Sequence, residues 1–63
     1  MNELIRYTPG DKTKNILVKN SDRTCEIAIA RRGLFIGTIE KMHSNGTLEI
    51  RLNKMLQEDR EWV

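Results

Sequence analysis

Asn45-Gly46 stands between two runs of β-type residues, and this dipeptide constrains the chain more than any other feature in it. Tight β-hairpin turns need positive φ, which Asn-Gly supplies at low cost. On the C-terminal side, Thr47 to Asn53 alternates without fault. Leu48, Ile50 and Leu52 face one way, and Thr47, Glu49 and Arg51 the other, the period of a half-buried strand. On the N-terminal side, Leu34 to His43 is rich in Phe, Ile and Thr and forms the other arm. A three-residue loop, Ser44-Asn45-Gly46, predicts Met42 opposite Leu48 and Lys41 opposite Glu49, with Gly46 in the left-handed region. It aligns Leu34, Ile36 and Met42 with Leu48, Ile50 and Leu52, and it points Thr38 and Glu40 inward. A two-residue loop would instead set His43 opposite Leu48 and Glu40 opposite Arg51, exchanging the faces.

Upstream, Leu4 to Tyr7 reads as a short first strand and Thr8-Pro9-Gly10-Asp11 as a turn. Asn15 to Lys19 is a β-branched strand, followed by a loop at Asn20-Ser21-Asp22-Arg23. Thr24 to Arg31 alternates, with Cys25, Ile27 and Ile29 on one face and Ala28 and Ala30 on the other. Lys54 to Val63 contains no Gly or Pro and is built from good helix formers, with Asn53 as a cap, so a short C-terminal helix is expected. A turn with a final Glu61-Trp62-Val63 strand is the alternative. The predicted fold is therefore mainly β. It is a single small domain over residues 1–63, a small antiparallel sheet or partly open barrel of four or five short strands with that terminal helix.

A chain of 63 residues buries only about 60% of its unfolded surface, so its core is small. Cys25 is the lone cysteine, which leaves no intrachain disulfide, and with His43 it is two ligands short of a structural zinc site. Self-association is the remaining way to add buried surface, and a homodimer is expected. The lone cysteine and the lack of a secretion signal or long apolar run lead to the expectation of a cytoplasmic protein that does not enter a membrane.

No constellation of catalytic type emerges. Cys25 is in phase with Ile27 and Ile29, which makes it a core residue, and nothing in the spacing brings His43 to it. Gly33 and Gly37 lack the following lysine of a phosphate loop. Asn45-Gly46-Thr47 has the form of a glycosylation acceptor, but the hairpin turn accounts for the same residues. From Gly33 to Ile39 and on to Leu52 the glycine spacing is similar to that of the KOW and Tudor type of small SH3-like barrel. The likeness stops there: KOW motifs favour polar residues where this chain has Leu34, Phe35 and Ile36, and no Tudor-type aromatic cage is evident.

Charged residues form 32% of the chain but the net charge is only +2. Positive and negative residues interleave, without the dense basic stripe of a dedicated nucleic-acid binder. Arg31 and Arg32, the only adjacent cations, would join Lys41 and Arg51 in a phosphate-binding patch. Alternatively, these cations pair with Glu40 and Glu49 across the hairpin. Phe35 and Trp62, the largest apolar side chains, fit the core or a partner surface equally, and Met42 and Met55 would add adaptable contacts at such a surface. The expectation is a non-catalytic regulatory module without metal or cofactor. It acts by protein–protein contact as a homodimer, of a size that suits a phage or mobile-element accessory protein. A small β-sheet nucleic-acid binder is the alternative. Candidate contact residues are Arg31, Arg32, Phe35, Lys41, Met42, Arg51 and Trp62.

Overall fold

The alternating segments pair in the computed structural model, which describes residues 2–18 and 23–58. They form β1 (Leu4–Tyr7), β2 (Lys14–Val18), β3 (Thr24–Ile29), β4 (Gly33–Met42) and β5 (Leu48–Glu58). These make one antiparallel sheet in the order β1-β5-β4-β3-β2. Strands β2 to β5 are a meander, and β1 lies along the free side of β5. The two sheet edges are thus β1 and β2, which the Pro9-Gly10 turn connects in sequence.

One face carries the core. Cys25, Ile27 and Ile29 from β3, Phe35 and Ile39 from β4, and Ile50 and Leu52 from β5 are buried together. Ile5 and Tyr7 from one edge strand and Ile16 from the other pack on the same cluster, so the sheet curls until both edges overlook one core. Three register irregularities between β4 and β5 accompany the curl. Each leaves one residue unpaired, Glu40 on β4 and Asn53 and Leu56 on β5, and such bulges bend a strand and increase its twist.

The hairpin closes as expected and then departs from expectation. Met42 lies opposite Leu48 and Lys41 opposite Glu49. The His43 N–H donates to Thr47 O at 2.8 Å and the Gly46 N–H to His43 O at 2.9 Å. Gly46 has φ +92°, the left-handed position of a three-residue loop. One residue further along, the Glu40 bulge reverses the phase. Ile39, not Thr38 or Glu40, faces Ile50 in the core, and Gly33, Phe35 and Gly37 follow it inward. Leu34 and Ile36 take the opposite face and Met42 is exposed. The physical reason is direct: the bulge buries Ile39 and Phe35 and leaves the Glu40 carboxylate in solvent, where burial does not penalise its charge.

The expected C-terminal helix is replaced by strand. β5 continues through Lys54-Met55-Leu56-Gln57-Glu58, with Lys54 opposite Ile36, Met55 opposite Phe35, Gln57 opposite Leu34 and Glu58 opposite Gly33. Helix propensity is a weak prior, and here the unpaired half of β4 supplies a ladder that a helix would leave empty. Asn53, expected as a helix cap, is a bulge residue whose Nδ2 donates to Thr38 Oγ1 at 2.7 Å. The final residues, with Trp62, and the expected loop at Asn20-Ser21-Asp22 lie outside the described residues.

Candidate interaction surface

The face opposite the core divides into a charged half and an apolar half. Over β1, β5 and β4, Arg6 and Lys41 both lie opposite Glu49. Arg6 Nη2 approaches Glu49 Oε2 at 3.4 Å, and His43 Nε2 lies 2.8 Å from the same oxygen. The His43 hydrogen bond, ahead of the nearby cations, holds the Glu49 carboxyl below its ordinary pKa. Arg51 donates through Nε and Nη2 to the Glu40 carboxylate, at 2.6 and 3.2 Å, and through Nη1 to Asn2 O at 2.7 Å. The Arg51 hydrogen bonds lower the Glu40 pKa. On this half of the face Glu49 and Glu40 are each held by neighbouring cationic or imidazole side chains.

Two of the four cations of the expected patch, Arg32 and Arg51, are already engaged. Arg51 is tied to Glu40, and Lys41 stands opposite Glu49. Arg32 donates two hydrogen bonds to the Glu3 carboxylate, at 3.1 and 2.8 Å. Its guanidinium carbon sits 5.5 Å from the Phe35 ring centroid, a cation–π geometry. Arg31 has no ion pair among the described residues; it occupies the β3–β4 turn with φ +66°. Phe35 is fully buried and is a core residue, not a contact residue. Met42 is 66% exposed beside the hairpin loop. Trp62 lies outside the described residues. Cys25 is sealed in the core with Sγ 3.6 Å from Gly37 O, and burial pushes its thiol pKa up.

The apolar half lies over β2, β3 and the start of β4. Asn15 pairs with Ala28, which pairs with Leu34, and the small Ala28 side chain leaves an open hollow of about 330 Å³ bordered by Leu17, Glu26 and Leu34. Its outer rim is the edge strand β2. The Ala30 N–H donates to Thr13 O at 2.8 Å. Hydrogen-bonded pairs alternate along an antiparallel ladder, so Asn15 and Leu17 bond to β3 while Lys14, Ile16 and Val18 aim their N–H and C=O groups away from it. Among the described residues no strand meets them. Leu17 and Val18 leave opposite faces of this edge, yet both are exposed, 61% and 52%.

The two edges differ in where their charge lies: β2 has Lys14 at its start and an uncharged remainder. β1 carries Arg6, is flanked by Glu3, and runs into Pro9. Charge, proline and brevity are the usual means of blunting a strand edge. From Asn15 to Val18, β2 has neither charge nor proline. Sequence reasoning missed this site because being an edge is a property of strand order. The signal within the sequence is the uncharged run Asn15-Ile16-Leu17-Val18 in a chain that is one-third charged.

Comparison with known protein families, with curated proteins and with solved structures finds no match for this chain. Among the described residues no helix is long and apolar enough to cross a membrane.

Proposed function

We propose that this chain is a non-catalytic binding module that regulates another macromolecule by protein–protein contact, with the β2 edge and the adjoining hollow as its contact surface. The observation that carries the proposal is the pair Leu17 and Val18. Two adjacent aliphatic side chains on opposite faces of an edge strand are both more than half exposed. Exposed edges template the addition of another strand: main-chain hydrogen bonds supply affinity and flanking side chains supply selectivity. The nucleic-acid alternative has less support, because a phosphate would have to displace Glu3 from Arg32 and Glu40 from Arg51.

The test is capture from nuclease-treated lysate with the wild-type chain and with Leu17→Lys in parallel. The expected result is a set of proteins that survives nuclease and is lost with the variant. Capture that disappears with nuclease, together with binding to generic DNA or RNA that falls steeply with salt, would overturn the proposal in favour of the alternative.

A further inference from the structure

We infer that the partner of β2 is β2 of a second copy of this chain, paired antiparallel about a two-fold axis at Leu17. The inference rests on the reading of β2 as part of the contact surface and divides that surface: the edge itself takes a second copy, and the adjoining hollow is left for the macromolecule that is regulated. A two-fold interface presents the same patch from both sides, so the strand must be complementary to itself. β2 meets that condition in one register. With Leu17 opposite Leu17 of the second copy, Ile16 falls opposite Val18 on the other face, and Val18 opposite Ile16. At positions 16 to 18 every side chain brought together is then aliphatic.

The backbone agrees with this register. Ile16 and Val18 are the residues whose N–H and C=O groups point away from β3, so each Ile16–Val18 pair exchanges two hydrogen bonds. Leu17 sits at the intervening non-hydrogen-bonded pair, where opposed side chains approach most closely. The alternative axis at Ile16 would set Val18 against Lys14 and Leu17 against Asn15, leaving the exposed aliphatic residues against polar ones.

Charge also fits. Lys14 is the only charged residue of β2, and its Nζ is held 3.0 Å from Asp11 Oδ2. In the Leu17 register the two Lys14 positions are separated by six residues along the strand direction, about 20 Å. Screening at physiological salt acts over roughly 8 Å, so no like charges oppose each other. The pairing joins two curled five-stranded sheets into one continuous sheet and, among the described residues, leaves only the β1 edges free. It also gives a small domain the extra buried surface that its own core lacks.

The test uses charge at the axis. Leu17→Lys places two ammonium groups opposite each other and Leu17→Glu two carboxylates. An equimolar mixture places one against the other. Val18→Pro removes an outward N–H while keeping an edge strand, where proline is tolerated, and circular dichroism confirms that each variant remains folded. Light scattering across the micromolar range is expected to give twice 7.4 kDa for the wild type. Each single variant is expected to give 7.4 kDa, and the Lys/Glu mixture to return to twice that mass. A monomeric wild type overturns the inference, as does a dimer that all three variants leave intact, or a Lys/Glu mixture that stays monomeric. If the wild type is monomeric but Leu17→Lys still loses captured protein, the contact edge stands and only its occupant is wrong.

Discussion

Gly37→Ala tests the packing that draws β4 and β5 together. A Cβ at this position would lie 2.8 Å from Ile50 Cγ2 and 2.9 Å from the Arg51 carbonyl oxygen. Neither contact is relieved by a flexible side-chain tip: the first atom branches from Cβ of a fully buried residue, and the second is backbone within the β4–β5 ladder. Overpacking a filled core by a methyl group costs typically 1–3 kcal/mol. With two contacts below 3 Å, a loss of about 2 kcal/mol is expected, or roughly 8–16 °C in Tm for a domain of this size. Far-UV circular dichroism melts measure it. The Ile50→Leu background removes the branched methyl and leaves the carbonyl contact, so Gly37→Ala is expected to cost measurably less there, the coupling expected of residues in contact. Because the Cys25 thiol bonds Gly37 O, the variant should also react faster with a thiol reagent. A Tm change under 2–3 °C, or equal losses in both backgrounds, would refute the packing argument, since about 1 kcal/mol corresponds to 4–8 °C.

Arg31→Gly is expected to stabilise the fold by about 0.5–1 kcal/mol in urea unfolding, because the left-handed φ costs a non-glycine residue roughly 1–2 kcal/mol and glycine returns part of this in chain entropy. An unchanged midpoint would show no strain at this turn. Asp11 accepts from the Thr13 hydroxyl and N–H and from Lys14, which lowers its pKa from 3.8 to about 2. A carboxyl shifted down in the folded state contributes stability that is present above pH 3.8 and lost as pH falls through about 2. Carboxyl NMR should follow that titration, and Asp11→Asn should flatten the acid limb of stability between these values. Arg32→Ala, which loses both the Glu3 pair and the contact over Phe35, should lower Tm more than Arg31→Ala. Equal effects would mean the Arg32 contacts contribute nothing.

What the sequence disclosed was local. Asn45-Gly46 specifies its own turn, so the loop length and the Met42–Leu48 and Lys41–Glu49 pairs are legible, as is the alternation of Cys25, Ile27 and Ile29. What it concealed depends on pairing. Nothing local to Glu40 marks a bulge, and its placement is decided by the competition between Ile39 and Glu40 for the core. Lys54 to Glu58 look helical in isolation and become strand because β4 offers Gly33 to Ile36 as partners. Phe35 could not be assigned to core or surface until the bulge fixed the phase of β4. The cations were visible as candidates, but Glu3, which holds Arg32, is distant in sequence and arrives through β1. The β2 edge was hidden for the same reason: only the strand order reveals that the apolar run from Ile16 to Val18 is left at a margin.

Amide hydrogen exchange at Ile16 and Val18, followed by NMR over a range of protein concentrations, tests the central claim at the atoms it concerns. Both N–H groups point away from β3, whereas those of Asn15 and Leu17 bond to it. Exchange at Ile16 and Val18 is expected to slow as concentration rises, while Asn15 and Leu17 keep a constant protection. Fast exchange at Ile16 and Val18 that is unchanged from the lowest to the highest concentration would contradict the assignment of β2 as the edge at which two copies meet.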